Sequence, residues 1–406
     1  MADLALAGLR ILAFTNAWAG LMSTMLLANM GAEVIRIESN QRMDENRLQP
    51  PFPDGAERGS INSSGNFNSY NRGMKGCTLN LKQSEAVEIT KRLVKHCDVV
   101  VENFSPPAMP RLGLGYEACK AVKHDIIYLS LSGYGATGPG RTDVSYGLQL
   151  QAFSGMTDST GYAGGPPRNV GTPISDQVGA QIGALGILAA LHHRSITGEG
   201  QYVDVSQCEV LVALCPEAIL DYFMNGRTPG RAANRDDSMA PHGVYRSKGE
   251  NNWVSIAVST KEEWEALCET MGKPDLTGDP RFADSLARYH NQEELDTIVS
   301  AWSVRHTDYE AMHLLQEKGI PASAVLSNSQ MVRDTHLRER GFSVEDDHPE
   351  TGKRIMAGFS WHLSRTPTRG IRHAPLMGEH NKEIFCGLLG MTEDEVSDLE
   401  NRKIIY

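Results

Sequence analysis

From Gly171 to Val205 the chain reads GTPISDQVGAQIGALGILAALHHRSITGEGQYVDV, and few arrangements accommodate such a segment. A Gly/Pro approach leads to an acidic residue at a helix start. A helix studded with glycine and alanine follows, then a basic exit, a glycine turn and a strand. Ser175 or Asp176 is expected as N-cap, because a side-chain oxygen there accepts from the free N–H groups of the first turn. Gly179, Ala180, Gly183, Ala184, Gly186, Ala189 and Ala190 leave almost no side-chain bulk over four turns. Glycine inside a helix costs about 1 kcal/mol against alanine. Three of them imply close approach by another backbone or a bulky ligand. On spacing alone Asp176 reads first as a cap.

The flanking chain supplies the sheet on which such a helix packs. Leu9 to Phe14 reads as a buried strand, Thr15 to Gly20 as a turn, and the apolar run through Met30 as a helix. Gly31 closes it, and Ala32 to Glu38 is a second strand, which makes a βαβ unit of a parallel sheet. Glu38 sits where a dinucleotide fold carries its ribose-binding acid. The turn reads Thr15-Asn16-Ala17-Trp18-Ala19-Gly20, without Gly-x-Gly-x-x-Gly, so NAD or FAD binding is rejected. Residues 39 to 70 form a long polar, proline-bearing loop, a length associated with function or mobility.

Further strands are expected at Cys77–Leu81, Asp98–Val101 and Ile126–Leu131, with helices at Ser84–His96 and Tyr116–Lys123. Glu102 to Pro107 and Ser132 to Gly135 are then turns at the carboxyl edge of one sheet, where open α/β sheets bind ligands. A helix over Glu209–Met224 leads to a polar linker at 225–237. The strand Trp253–Val258 and helices at Lys261–Met271, Asn291–Trp302 and Tyr309–Lys318 suggest a smaller α+β domain over residues 225–325. The expected class is α/β.

Composition narrows the function. The 406 residues carry a formal charge of −11, which argues against binding along a nucleic-acid backbone. The longest apolar run, Ile182–Leu191, is too short to cross a bilayer, and MADLALAGLR lacks the features of a secretory signal. Seven scattered cysteines without a Cys-x-x-Cys pair point to reduced thiols and a cytoplasmic protein rather than a disulfide framework or zinc site. No metal is expected.

Several of these pieces resemble the class III CoA-transferases (the CaiB/BaiF type), the group of formyl-CoA:oxalate, carnitine and benzylsuccinate CoA-transferases. They are Leu6-Ala7-Gly8-Leu9-Arg10, Gly31 to Glu38, Val101-Glu102-Asn103-Phe104, Arg111-Leu112-Gly113, Leu131 to Gly135, Gln151 to Gly155, the Asp176 helix, Thr197 to Gln201 and Gly378-Glu379-His380. The resemblance implies a Rossmann-like large domain built from residues 1–224 and a C-terminal return at 326–406. It also implies an interlocked dimer, with either a second copy or a homologous subunit. No tightly bound cofactor is implied; a coenzyme A thioester is the substrate, with a carboxylic acid as its acceptor.

The same resemblance makes Asp176 a nucleophile that passes through a mixed anhydride and an aspartyl-CoA thioester. Splitting one exchange into such steps is the general advantage of covalent catalysis. It carries coenzyme A contacts to Ala19, Lys75, Asn103, Phe104, Ala108, Arg111 and Tyr134, with Lys75 meeting the nucleotide phosphates. Gly133, Gly135 and the Gly171 turn are candidate oxyanion donors. Trp18 stands where formyl-CoA transferase has glutamine, and Ser39 replaces its arginine, so the oxalate pocket does not carry over. Trp18, Gly135, Tyr146, His242 and Arg246 are candidate substrate residues, with Arg231 and Arg235 as further partners for a free carboxylate.

Two alternatives stand beside transfer. The related α-methylacyl-CoA racemase uses a His/Asp pair, and the position matching its histidine here is Tyr146. A phenol is a poor base for an α-proton near neutrality. The chain is otherwise a weakly active partner in a heteromeric transferase. The segment Ala240 to Val258 resembles the benzylsuccinate and related dicarboxylate transferases, which suggests succinyl-CoA as donor and a substituted succinate, such as benzylsuccinate, as acceptor.

Overall fold

The computed structural model describes residues 4–53, 59–228, 230–367 and 372–406. Six strands form one parallel sheet: β1 (Arg10–Phe14), β2 (Glu33–Glu38), β3 (Lys75–Thr78), β4 (Val99–Glu102), β5 (Ile127–Ser132) and β6 (Tyr202–Ser206). Their order is β3-β2-β1-β4-β5-β6, so the winding reverses between β1 and β4. The central strands β1 and β4 are apolar on both faces, as a sheet covered by helices on each side requires. Leu12 and Phe14 enter one core with Leu93, Val94, Phe385 and Ile405. Ile11 and Ala13 enter the other with Leu27, Leu129, Ala184 and Ile187. The chain end returns to this sheet, where the Thr78 hydroxyl donates to the Tyr406 carbonyl at 2.7 Å.

The helix Ile174–Thr197 runs between β5 and β6 in sequence and explains its own composition. Side-chain carbon added at Gly183 would meet Leu129 at 3.2 Å, and at Gly186 would meet Val203 at 2.9 Å. The close neighbours of those two glycines are strand side chains, with Ser23 of the helix Ala17–Asn29 3.8 Å from the carbon added at Gly183. At 24 residues this helix is also, among the described residues, one long and apolar enough to cross a membrane by length and composition. Its small-residue face packs on β5, β6 and the helix Ala17–Asn29 instead.

Two local expectations change. The segment expected as one helix over Glu209–Met224 is two, Gln207–Val212 and Pro216–Asn225, because Pro216 starts a new helix at its first turn. The loop at 39–70 carries a 3-10 turn, Glu45–Leu48, capped by Asp44, and a helix, Gly65–Tyr70, capped by Ser64. A buried charge cluster anchors it. Arg36 pairs with Glu38 at 2.7 Å and with Asp44, and Arg47 pairs with Glu38 at 2.6 Å and lies 3.6 Å over the Phe67 ring. Burial pushes the Glu38 carboxyl up, but Arg36 and Arg47 together hold it below its usual value. The acid at the end of β2 is thus occupied by arginines.

The chain divides into two compact units. One comprises Met1–Thr157, Asn169–Thr228 and Glu339–Tyr406; the other comprises Asp158–Arg168 and Pro229–Arg338. The second unit has an antiparallel sheet of β7 (His242–Arg246), β8 (Trp253–Ala257) and β9 (Ala322–Ala324) over a core that includes Trp264, Leu267, Phe282 and Trp302. In the first unit a further hairpin pairs β10 (Ser343–His348) with β11 (Gly352–Ala357). Its polar sequence, SVEDDH, gives no alternation of apolar residues to betray a strand.

Candidate active site

Strand order decides where ligand chemistry belongs. At the reversal between β1 and β4, the turns that leave the two strands diverge and open a crevice at the carboxyl edge of the sheet. Asn16 follows β1 and Asn103 follows β4. The Asn16 N–H donates to Asn103 Oδ1 at 2.9 Å, and Asn103 Nδ2 donates back to the Asn16 carbonyl. Next in the chain, Ala17 has φ +58°, a left-handed conformation that strains a residue with a β-carbon by about 1–2 kcal/mol. The helix Ala17–Asn29 starts there, three residues ahead of the expected turn end at Gly20.

Asp176 meets this turn. It lies in the first turn of the helix Ile174–Thr197, whose N-cap is Pro173 without a side-chain cap bond. Neither Ser175 nor Asp176 is therefore the cap. The buried Ser175 hydroxyl stands 3.4 Å from Asp176 Oδ2, and the backbone N–H of Ala19 lies near enough to favour the charged form of the carboxyl. Burial raises the carboxyl above its usual value, and these donors only partly offset it. A helix N-terminus favours an anion by about 0.3–1 kcal/mol. Tyr70 lies within the field of Asp176: burial first, then that charge, pushes the phenol up.

Asp176 opens on a crevice of 170 Å³ lined by Ala17, Asn103, Phe104, Gly133, Tyr134, Tyr146 and Gly147, among others. Arg141 lines it too and is exposed, with a guanidinium bond to the Gly138 carbonyl at 3.2 Å. Phe104 is oriented through its N–H, which donates to Glu102 at 2.9 Å. Tyr134 packs edge-on against Phe153, with ring centroids 5.2 Å apart. Gly135, at φ +83°, lines an adjoining cavity of 310 Å³ with Tyr134 and Asp204. The Trp18 indole N–H is held by two amide oxygens, Asn46 at 3.1 Å and Asn66 at 2.8 Å, and its ring packs against Tyr70 at 5.0 Å.

Other expected site residues lie elsewhere. Lys75 begins β3, at the amino edge of the sheet, where it pairs with Glu33 at 2.5 Å and Glu383 at 2.7 Å. Its charge is committed to two carboxylates away from the crevice, so a phosphate contact from Lys75 is not supported. Ala108 and Arg111 form the short helix after the Phe104 loop; Arg111 is exposed and neither lines the crevice. His242 and Arg246 belong to the second unit, on β7, where the His242 ring bonds the Asn234 carbonyl and Arg246 is exposed. In that unit Arg231 pairs with Asp158 at 3.1 Å and Arg235 with Glu293 at 3.6 Å.

Sequence reasoning passed over Gly147, Tyr70 and Arg141. Carbon added at Gly147 would stand 3.0 Å from Asp176 Oδ2 and 2.9 Å from Pro173. No local signal marks that glycine, because its neighbours come from a segment almost thirty residues away.

The chain is similar to known proteins along nearly its whole length. The profile described as CoA-transferase family III matches residues 6–381. The chain is 37% identical to a succinyl-CoA:mesaconate CoA-transferase of Haloarcula marismortui over 388 residues, covering 94% of this chain and 96% of that one. It is 33% identical to a succinyl-CoA–D-citramalate CoA-transferase of Chloroflexus aurantiacus over 399 residues, covering 98% and 97%. A solved CAIB/BAIF family protein from Brucella suis matches with a TM-score of 0.86 at 26% identity, covering 95% of this chain and all of that one.

Proposed function

Because the chain belongs to CoA-transferase family III, and is thus a class III CoA-transferase acting on acyl-CoA and carboxylic acids, we propose that Asp176 is its nucleophile. We also propose that it moves coenzyme A from succinyl-CoA to a short dicarboxylate. One observation carries the first part: Asp176 is a half-buried carboxylate that faces a crevice, with the Ser175 hydroxyl and backbone N–H groups beside it. A carboxylate held by neutral donors keeps its lone pairs reactive, where an arginine partner would tie them up.

The steps balance without a co-reactant. Asp176 attacks the thioester carbonyl, coenzyme A leaves as thiolate, and a mixed anhydride remains. The thiolate then attacks the aspartyl carbonyl, releasing the donor acid and leaving an aspartyl-CoA thioester. The acceptor carboxylate reverses both steps and frees Asp176. Each tetrahedral oxyanion needs a donor; the Ala19 N–H and the Gly133 region flank the carboxylate. Phe104 and Tyr134 supply apolar walls for the pantetheine arm, and Arg141 a cation for a substrate carboxylate or phosphate.

Donor and acceptor are argued from relatives whose names specify succinyl-CoA with mesaconate or citramalate. Transfer is favoured over racemisation because Tyr146, not histidine, lines the crevice beside Asp176. We further propose a dimer. The helix Pro216–Asn225 buries none of its residues, and Leu220, Tyr222, Phe223 and Met224 are 56–79% exposed, an apolar face that a second subunit would cover. The test is a panel of acyl-CoA donors against dicarboxylates, read by mass spectrometry, with Asp176→Ala alongside. Succinyl-CoA with mesaconate or citramalate should react, and Asp176→Ala should not. Full activity of Asp176→Ala rejects the nucleophile, while no preference among dicarboxylates rejects the substrate assignment alone.

A further inference from the structure

We infer that Glu102 is a positioning residue: with Asp204 on the same row of the sheet, it fixes the two loops that wall the crevice beside Asp176. The parallel register puts Glu102 opposite Phe14 on β1 and Ser130 on β5, and Ser130 opposite Asp204 on β6. Residues in register share a face, so Glu102, Ser130 and Asp204 form one row across the carboxyl edge. Each acid of the row takes a loop N–H. Glu102 Oε2 accepts from the Phe104 N–H at 2.9 Å, and Oε1 from the Ser130 hydroxyl at 2.5 Å. Asp204 accepts from the Ala136 N–H with both oxygens, at 3.0 and 3.1 Å. Phe104 and Tyr134, two residues before Ala136, line the crevice with Asp176.

Packing alone does not account for a carboxylate at this position. Glu102 is 6% exposed. Glu38, at the end of β2, is held by two arginines, whereas Glu102, at the end of β4, is held by a hydroxyl and a backbone N–H. Burial raises the Glu102 carboxyl above its usual value, and those donors only partly offset it. Such an acid costs the fold more than an apolar residue would. What it supplies is two acceptor oxygens in fixed directions, one towards β5 and one towards the Phe104 loop. Without them the Phe104 N–H loses its acceptor, and the loop is free to turn the ring out of the crevice wall. The second loop needs a tie for its own reason. Gly135 stands at φ +83° between Tyr134 and Ala136, and the backbone is held on both sides of it. Asp204 holds the Ala136 N–H, and the Cys208 N–H donates to the Gly133 carbonyl at 2.9 Å.

The inference rests on the reading that Phe104 and Tyr134 wall the path of coenzyme A, and one control separates the two. Isothermal titration of coenzyme A onto the full chain gives Kd without turnover. Phe104→Ala should weaken binding by about tenfold or more. Glu102→Ala should also weaken it by about tenfold, and Asp204→Ala by about threefold. Glu102→Gln still accepts from the Phe104 N–H through its amide oxygen and should bind within about twofold of the unsubstituted enzyme. In turnover, Glu102→Ala should raise KM for the acyl-CoA in step with Kd, while kcat falls by less than about threefold. Thermal melts confirm folding; if Glu102→Ala fails to fold, Asp204→Ala, at an exposed position, carries the test. Unchanged affinity in Glu102→Ala and Asp204→Ala, with Phe104→Ala weakened, overturns the proposal and leaves the crevice reading standing. Equal losses in Glu102→Gln and Glu102→Ala overturn it too, because charge rather than loop geometry would then be at work. Unchanged affinity in Phe104→Ala removes the crevice reading and the proposal with it.

Discussion

Gly147 and Asp176 approach so closely that a β-carbon on the glycine would stand 3.0 Å from the carboxylate Oδ2. One wall of the crevice is therefore bare backbone, pressed against the group proposed to attack the thioester. In Gly147→Ala the methyl group must displace either the carboxylate or Pro173, 2.9 Å away. A misplacement of that order costs about 10²-fold in kcat, with smaller changes in KM. Steady-state kinetics, with circular dichroism to confirm folding, checks this.

Asp176 also makes the pH dependence specific. Burial raises its carboxyl, against the Ser175 hydroxyl and the Ala19 N–H. Activity that needs the anion should fall, on acidification, at a pH above the ordinary carboxylate range, in a kcat/KM profile. The stability consequence has the opposite sense to that of a salt-bridged acid. A carboxyl raised in the folded state favours the fold while protonated, and that contribution is lost as pH rises through the folded-state value. Asp176→Asn should therefore be more stable than the unsubstituted enzyme at pH 7, with the gap closing below the ordinary carboxylate range. Thermal melts across pH measure it.

Removing the nucleophile outright is the largest expected change. Asp176→Ala should lower kcat on the order of 10³-fold or more. Hydroxylamine trapping followed by peptide mapping should recover a modified Asp176 from the unsubstituted enzyme mixed with succinyl-CoA. No adduct should appear in the variant.

Away from the chemistry, the Arg36–Glu38–Arg47 cluster tests how the 39–70 segment is held. Glu38→Ala removes the carboxylate shared by two buried guanidinium groups; Arg36 keeps Asp44 and the Thr15 carbonyl, while Arg47 keeps only neutral acceptors such as Asn62 and the Pro375 carbonyl. Breaking a buried pair from one side destabilises by about 3–5 kcal/mol. Urea unfolding should show that loss, and Trp18, tied to Asn46 in the same segment, should report it by fluorescence.

The apolar helix Pro216–Asn225 predicts an assembly. Phe223, 79% exposed, is free of the monomer's core. In Phe223→Asp a charge would enter any interface made there, so sedimentation should shift from dimer towards monomer while the monomer's fold persists. A monomeric unsubstituted enzyme would remove the basis for this expectation.

Much of this protein is written locally. The runs that became β1 and β4 are continuously apolar apart from Arg10 and Glu102 at their ends, and β2 and β5 are less completely so, because a parallel sheet covered on both faces has no polar side to alternate with. The Asp176 helix was legible from its glycines and its Gly198 end, and the family from motifs spread over the chain. What the tertiary structure decided is which motifs meet. Lys75 and Asn103 look equally eligible as ligand residues in one dimension. Strand order and direction put Lys75 at the amino edge among carboxylates and Asn103 at the carboxyl edge against Asn16. Gly147 beside Asp176 and Arg36 beside Asp44 are likewise contacts made through space. Periodicity records only which face of an element is buried; it carries no information about the partner on the far side, which the packing of strands and helices alone selects.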